Sequence, residues 1–351
     1  MNILLDDISF KNSLFPFGEV RSVAHIRTGI LTIFEKWEFY FPGKVFIASE
    51  KLIHDFDESD CIKYPANFIP SSQFLKEISD QNKKIAFTPD CKILEHPWQI
   101  FEWNDWAINE DFKLVTDGRT SEKIHLSNQT ISPEKIFIEE GATIKFSILN
   151  AEAGPIYIGK NAEIQEGSLL RGPVAVGEGS RIKMGAKIYG ATTIGPYCLA
   201  GGEIKNSILM AFSNKGHDGY LGDSVIGEWC NLGAGTSNSN LKNNASTVKL
   251  WSKKDNDFIS AGNKCGLIMG DYSRCAINTS FNTGTVVGIS CSIFGNSFLP
   301  KFIESFSWGN ENYIFDKAMA DINNWKKLKS MEITETEIQS LKKIYQQKIK
   351  S

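Results

Sequence analysis

Residues 158–200 read IGKNAEIQEGSLLRGPVAVGEGSRIKMGAKIYGATTIGPYCLA and repeat with a period of six. Every sixth residue is apolar, and glycine follows half of these residues. They are Ile158, Ile164, Leu170, Val176, Ile182, Ile188, Ile194 and Ala200. Residues six apart on an α-helix do not share a face, so the period argues against a helix. Hexapeptide repeats are typical of a parallel β-helix, in which stacked coils bury one continuous core.

The repeat extends in both directions, with changes of phase. Ile138 and Ile144 precede it, and about two residues are inserted before Ile158. After Ala200 the apolar phase is predicted to resume at Ile208, Asn214, Tyr220, Ile226 and Leu232, and later at Met269, Cys275, Phe281, Val287 and Ile293. The segment 236–257 is rich in asparagine and carries no repeat, so we expect it to leave the β-helix as an excursion.

The remaining sequence indicates two further units, and 351 residues are enough for each to bury a core. Residues 1–117 alternate predicted strands and helices, which favours a small α/β domain. Residues 118–135 are polar and are predicted as a linker. The β-helix is predicted over 136–300. Residues 301–351 contain two helical patterns, which we expect to cap the open end of the β-helix.

Composition limits the partners of the chain. It has 38 Lys plus Arg against 41 Asp plus Glu, and no basic run interleaved with aromatic residues, which argues against nucleic acid. The seven cysteines form no C-x-x-C pair, so reduced thiols are expected. Acidic residues interrupt the N-terminal apolar run, and no segment approaches membrane-spanning length. We therefore expect a cytoplasmic protein without a membrane partner.

The segments HDGYLGD (217–223) and NLGAGT (231–236) resemble the acetyltransferase half of the bifunctional glucosamine-1-phosphate N-acetyltransferase and N-acetylglucosamine-1-phosphate uridylyltransferase. The whole chain more closely resembles the alternate, Bacteroidetes-type form of that enzyme, whose N-terminal part is a divergent sugar nucleotidyltransferase. The matching stretches are RTGILTI (27–33), GPIYIG (154–159), SNKGHDG (213–219), SNLKNN (239–244) and NTGTVVG (282–288). The resemblance implies a left-handed coil, a homotrimer, and acetyl-CoA as acyl donor.

Matched by position, the resemblance makes His217 the base that deprotonates the attacking amine. Imidazole suits this role because its ordinary pKa lies near the working pH. The resemblance also implies that Lys205 binds the sugar phosphate, Tyr220 contacts the substrate, and Asn231 and Asn240 bind the sugar. Lys187 stands where the family has an arginine, and Ala234 is implied to contact the pantetheine arm. Lys242 and Lys249 are both candidates for a family loop lysine.

Ordinary structural roles are the alternatives for these residues: a surface histidine in a glycine-rich turn, solvated lysines, turn asparagines and a packing alanine. The resemblance also implies that each site is shared between subunits. The excursion would then reach a neighbouring subunit with Asn240 and a lysine.

The N-terminal domain departs from the usual nucleotidyltransferases. Where those have a G-x-G-T-R-M phosphate loop, this chain has DDISFK (6–11), and the domain has about half the family's length. Arg21, Arg27 and Lys36 are candidates to bind nucleotide phosphates, and Asp6 or Asp7 to bind the Mg²⁺ expected of an active domain. Structural ion pairs or solvated charges are equally open for them.

These features predict an enzyme that acts on a sugar phosphate. The expected reaction is N-acetylation of glucosamine-1-phosphate by acetyl-CoA, with uridylyl transfer from a nucleoside triphosphate to give UDP-N-acetylglucosamine left open. The alternatives are a nucleotidyltransferase for another hexose-1-phosphate, such as a glucose-1-phosphate thymidylyltransferase, an acyltransferase for another amino sugar, and a non-catalytic scaffold that binds sugar nucleotides.

Overall fold

The computed structural model describes residues 1–50, 58–81, 83–295 and 299–350. The N-terminal part contains a parallel sheet in which β1 lies between β2 and β3. A short antiparallel pair, β4 and β5, lies beside it. The strands are β1 (Asn2–Asp6), β2 (Val45–Ile47), β3 (Cys61–Pro65), β4 (Phe68–Ile69) and β5 (Lys92–Ile93), and the helices are α1 (Ile33–Tyr40), α2 (Ser72–Gln81), α3 (Gln99–Glu102) and α4 (Asn104–Thr116), with 3₁₀ turns at Val23–His25, Ala48–Glu50 and Glu58–Asp60.

Local sequence explains how this α/β domain forms. Helix α1 begins with a capping box, because Thr32 Oγ1 accepts from the Glu35 amide and the Glu35 carboxylate accepts from the Thr32 amide. The indole of Trp37 then packs on Tyr64, with ring centroids 4.9 Å apart, and on Phe74 from α2. The predicted α/β domain is therefore confirmed, with an aromatic core between sheet and helices.

The hexapeptide region is a parallel β-solenoid, as predicted, and its strands form three sheets. Its handedness remains a prediction from the resemblance. Sheet 1 contains Ile136–Ile138, Ile156–Ile158, Val174–Val176, Thr192–Ile194, Ile208–Leu209, Val225–Ile226, Leu267–Met269, Thr285–Val287 and Phe302–Ile303. Sheet 2 contains Thr143–Ile144, Glu163–Ile164, Arg181–Ile182, Leu199–Ala200, Asn214–Lys215, Asn231–Leu232, Arg274–Cys275, Ser292–Ile293, Ser307–Trp308 and the antiparallel Glu311–Asn312. Sheet 3 contains Gln129–Ile131, Ile148–Asn150, Leu169–Arg171, Lys187–Tyr189, Glu203–Lys205 and Tyr220–Gly222, and a separate pair continues the solenoid with Ser237–Asn238 and Ser280–Phe281.

The solenoid extends beyond the predicted range at both ends. Gln129–Ile131 pairs with Ile148–Asn150, so sheet 3 begins inside the stretch predicted as a linker. A 3₁₀ turn, Pro133–Lys135, then leads into sheet 1. Phe302–Ile303 continues sheet 1 beyond residue 300. The predicted β-helix range also includes residues 296–298, which lie outside the described residues.

One coil is shorter than its predecessors, which makes part of the predicted phase wrong. The spacing of paired residues falls from 18 (Ile182 to Ala200) to 15 (Ala200 to Lys215). The inward residues after Ala200 are therefore Leu209, Lys215 and Leu221, each one position later than predicted. Ile208 packs against the core of the α/β domain, and Asn214 and Tyr220 face outward. The later predictions, Met269, Cys275, Phe281, Val287 and Ile293, are confirmed as core residues.

The excursion differs from its predicted bounds and direction. It begins after Asn238, whose side chain bonds the amide and carbonyl of Gly222 inside the solenoid, and it ends at Leu267. It contains an antiparallel hairpin, Lys249–Ser252 with Asp257–Ser260, that packs against the same chain. Lys253 pairs with Glu19 at 2.9 Å. The hairpin is therefore anchored to its own α/β domain.

The C-terminal helices α5 (Phe315–Lys327) and α6 (Glu335–Lys350) lie along the side of the solenoid. Ile322 and Leu341 share a cluster with Trp229, Tyr272 and Phe306, which come from three different coils at the corner between sheets 1 and 2. The prediction that they cap the open end is wrong, because their apolar faces match this aromatic column. None of the helices within the described ranges combines the length and apolar character needed to span a membrane.

The α/β domain is attached to the solenoid through buried polar contacts. The Asn104 side-chain oxygen accepts from the Gly29 amide at 2.7 Å, and its Nδ2 donates to the Ala191 carbonyl of the solenoid. Thr193 Oγ1 donates to the Gly29 carbonyl at 3.0 Å. Asn104 is fully buried, so these bonds have no competition from water.

We predict that Asn104→Ala lowers the free energy of unfolding by about 1 to 3 kcal/mol for each buried group left unpaired. The urea unfolding midpoint measures the change. Asn109→Ala on the same helix is the matched control, because the Asn109 side chain is exposed and donates to Asp105 one turn earlier in the helix. We expect a change within about 0.5 kcal/mol. Equal midpoints for the two variants would contradict this account of domain attachment.

Candidate active site

Two rows of outward side chains on sheet 3 contain several of the predicted site residues. Because side chains alternate along a strand, Lys187, Glu203 and Tyr220 form one row. Tyr189 and Lys205 belong to the second row. Lys187 pairs with Glu203, 16 residues further along the chain, and its match to a family arginine stays a prediction. Tyr189 occupies the position beside Lys205.

Tyr189 and Glu203 are polar site residues that the sequence analysis missed. The Tyr189 hydroxyl donates to Glu203 Oε1 at 2.7 Å, and this bond, with partial burial, raises the pKa of Tyr189 to about 12. Lys205 Nζ lies 5.8 Å from the centroid of the Tyr189 ring. The signal for this arrangement is the Gly201-Gly202 pair, where the coil is shortened.

The excursion places Asn240 beside Tyr220 of the same chain. Asn240 Nδ2 donates to the Tyr220 hydroxyl at 3.2 Å and to a carboxylate oxygen of Asp223. Asn206 Nδ2 donates to the other Asp223 oxygen at 2.6 Å. Burial and the Asp223 charge raise the pKa of Tyr220. Within one chain, Asn240 thus lies beside Tyr220, and the expectation that it also reaches a neighbouring subunit stays a prediction.

His217 lies in the turn that joins sheet 2 to sheet 3. We call this turn and the next one above it, residues 216–219 and 233–236, the histidine corner. His217 is exposed, and its imidazole has no hydrogen-bond partner among the described residues. The Gly235 amide donates to the Asp218 carbonyl at 3.1 Å, so Ala234 stacks on His217 in the next coil. The imidazole is free to meet a ligand beside a small residue.

The other sugar-binding candidate, Asn231, is separated from Tyr220 by this corner. Asn231 faces outward from sheet 2, where its Oδ1 lies 3.4 Å from Asn214 Nδ2. The structure thus groups Lys205, Tyr220 and Asn240 on sheet 3, with His217 and Ala234 at the corner. Lys242 donates to the Thr247 carbonyl within the excursion, and Lys249 lies on its hairpin.

The three predicted phosphate-binding cations are engaged with carboxylates. Arg21 pairs with Glu228 at 2.8 Å and with Asp271, both from the solenoid. Arg27 pairs with Glu35 at 3.2 Å. Buried Lys36 pairs with buried Asp111, which also accepts from the amides of Ile30 and Leu31. Their role toward a nucleotide stays a prediction, but all three already have structural partners.

The described residues do not fit a magnesium site. Asp7 is fully buried, and its two carboxylate oxygens accept from the amide and hydroxyl of Ser49 at 3.1 and 2.6 Å. Asp6 accepts from the Ile8 amide at 3.2 Å. The described part of the chain contains no group of three or more His, Cys, Asp or Glu able to bind a metal. We therefore derive no step through Mg²⁺.

Comparison with known proteins finds a family model and several relatives that are similar to this chain. A family model described as sugar nucleotidyl transferase matches residues 2–82 and 65–120. A bifunctional protein GlmU from Methanocaldococcus jannaschii is 37% identical over 117 residues, which cover 33% of this chain and 28% of that protein. A bifunctional sugar-1-phosphate nucleotidylyltransferase/acetyltransferase from Sulfurisphaera tokodaii is 28% identical over 252 residues, covering 69% of this chain and 57% of that protein. The chain thus spans little more than half of the second relative and less of the first.

A solved structure described as a hexapeptide transferase family protein from Anaplasma phagocytophilum is also matched. The sequence identity is 17%, over 64% of this chain and 89% of that chain, with a TM-score of 0.18. That score is too low to establish a common fold by itself.

Fold and sequence together define a class: a hexapeptide-repeat β-solenoid preceded by a domain that matches the sugar nucleotidyl transferase family. The family-model match, the bifunctional relatives and the solenoid support the resemblance of the chain to GlmU-like proteins. The resemblance drawn from the sequence is confirmed at this level.

Lys215 lies inside the solenoid beneath the histidine corner, and its titration allows its burial to be tested by pH. Burial lowers the pKa of Lys215 to about 8, whereas an unfolded lysine titrates near about 10.4. Between these pH values the unfolded chain binds more protons at this site than the folded chain, so stability rises with pH. We predict that wild type gains about 1 to 3 kcal/mol relative to Lys215→Met between about pH 8 and 10.4. A difference between the two proteins that stays constant with pH, measured by urea unfolding, would contradict the buried position.

Proposed function

We propose that this protein transfers the acetyl group of acetyl-CoA to the amine of glucosamine-1-phosphate at the histidine corner. One observation carries the proposal: an exposed, unpaired imidazole beside a small alanine, next to a sheet face that bears Lys205 and Tyr220. The bifunctional acetyltransferase named among the relatives supports it. As the chain covers 57% of that protein, the activity is a proposal for this chain.

Each of the candidate site residues has a separate role in this reaction. In the proposed reaction, Lys205 binds the sugar phosphate, and Tyr220, Asn231 and Asn240 bind the sugar. His217 accepts a proton as the amine nitrogen attacks the thioester carbonyl carbon. The C–S bond breaks, the amide forms, and the CoA thiolate takes up a proton. Ala234 leaves space for the pantetheine arm at the corner, and Lys187 adds positive charge at the edge of the sheet.

For the α/β domain we propose uridylyl transfer to the acetylated sugar phosphate, on the strength of the family-model match. An active domain would use Arg21, Arg27 and Lys36 as phosphate ligands and would need Mg²⁺, for which the described residues offer no site. A second candidate is a domain that binds a nucleotide without turnover. The ion pairs that engage all three cations favour this candidate. A uridylyltransferase assay with UTP separates the two.

We also propose a cytoplasmic homotrimer. No disulfide joins any of the seven cysteines within the described residues, in keeping with a reducing compartment. Sheet 3 carries an apolar patch of Ile131, Ile148 and Leu169, exposed by 48, 40 and 42%, which lines a depression of about 350 Å³. A neighbour packed there would bury this surface and enclose the shallow site. A three-fold ring uses two different patches on each subunit and closes on itself.

We predict that His217→Ala lowers kcat for N-acetylation by about 10² to 10⁴, because the general base is lost. Fold and melting temperature should be unchanged, as the side chain is exposed. Lys205→Ala is the matched comparison. It should raise KM for the sugar phosphate about tenfold to a hundredfold with a smaller effect on kcat, since it removes a charge-assisted contact remote from the amine. Near-normal turnover by the His217 variant would refute its role.

We predict a trimer by light scattering at micromolar concentration, and monomers for Leu169→Lys, since a lysine in the apolar patch would bury an unpaired charge. Leu328→Lys, at an exposed leucine of the C-terminal helices, is the control and should stay trimeric. A monomeric wild type would exclude the assembly.

A further inference from the structure

Lys215 occupies an unusual position inside the solenoid. Its side chain points into the core between Ala200 and Leu232 of neighbouring coils and is 1% exposed. The same interior column continues through Ile182 below and Cys275 above. A lysine in aliphatic surroundings is unfavourable unless its N–H donors are satisfied. Its partners therefore indicate what it does.

The Lys215 ammonium group donates to two backbone carbonyls, those of Gly201 at 3.3 Å and His217 at 2.5 Å. Within the described backbone hydrogen bonds, no amide donates to either oxygen. The Gly201 carbonyl lies in the shortened corner and the His217 carbonyl in the turn above it, so the two turns differ in length and their backbones do not pair in the ordinary way. The Lys215 ammonium group, from inside the solenoid, therefore supplies the hydrogen bonds that backbone amides would otherwise donate to these two carbonyls.

The Gly201-Gly202 corner and the His217 turn above it are in close contact. Gly202 has a φ of +71°, and a Cβ there would lie 2.7 Å from the His217 carbonyl oxygen. The backbone of the two turns is therefore closely packed, while the imidazole itself is exposed. A change in the direction of the His217 carbonyl would also redirect the side chain.

We propose that Lys215 is a positioning residue, which fixes the backbone of the His217 turn through the His217 and Gly201 carbonyls. Its effect on catalysis rests on the proposed function, whereas its effect on the turn does not. Lys215 is too deeply buried to contact substrate, so it acts through His217. The buried Lys215 ammonium group thus satisfies carbonyl groups that the shortened coil leaves without a backbone partner.

Amide hydrogen exchange measured by mass spectrometry tests the structural part without any substrate. In Lys215→Met, which keeps the length of the side chain but has no donor, exchange should rise at least about tenfold in peptides covering 216–220, where the Tyr220 amide donates to Ser237 Oγ at 3.0 Å. A rise of this size is expected when a charge-assisted hydrogen bond that holds the turn is lost. Peptides covering sheet 1 should be unchanged. Ile182→Met, in the same interior column, is the matched control for packing and should leave 216–220 as in wild type.

Kinetics then tests the catalytic part. Lys215→Met should lower kcat for N-acetylation about tenfold or more with KM for the sugar phosphate nearly unchanged, as expected of a disturbed base rather than a lost ligand. Lys215→Gln, whose amide can still reach one carbonyl, should restore part of both kcat and protection. If Lys215→Met does not fold, Lys215→Gln carries the same comparison with a smaller expected change.

Equal exchange of 216–220 in wild type and the lysine variants would overturn the proposal, as would a rise spread evenly over the solenoid. Loss of protection without a change in kcat would also overturn it. If wild type has no acetyltransferase activity, the proposed function fails, while local loss of protection still supports Lys215 as the support of the turn.

Discussion

Parallel stacking of coils is the constraint on which the structure depends. Each inward side chain must lie on the inward side chain of the coil below, because the strands pair in register and side chains alternate. A coil can change length only at its corners. The Gly201-Gly202 corner is such a place, and it shifts the register of the strands that follow. It places Lys215 in the core and Tyr220 on the outside, and it lies directly below the exposed His217.

The α/β domain uses its charged residues chiefly to hold its own structure and its place on the solenoid. Arg21 reaches two solenoid carboxylates, and the Lys36–Asp111 pair organises the loop before α1 through the Ile30 and Leu31 amides. Removing one partner of such a buried pair would leave an uncompensated charge, which costs about 3 to 5 kcal/mol. The domain and the solenoid are thus linked by polar contacts that tolerate little change, and the RTGILTI segment lies at their junction.

Much of the fold follows from the sequence, because a six-residue apolar period has few structural solutions. The period predicts the parallel β-helix and its interior residues from Ile158 to Ala200. It fails for Ile208, Asn214 and Tyr220, because a fixed period does not account for a corner that has lost residues. The direction of the excursion and the position of α5 and α6 depend on long-range packing of Trp251 and the Trp229–Tyr272–Phe306 column, which no local pattern reports.

A crystal structure of the protein with CoA and glucosamine-1-phosphate tests the central claim most directly. The account predicts the sugar phosphate on sheet 3 with its phosphate at Lys205, its amine within hydrogen-bonding distance of the His217 imidazole, and the pantetheine sulfur beside Ala234. A sugar phosphate bound away from the histidine corner, with the His217 imidazole remote from the amine, would contradict it.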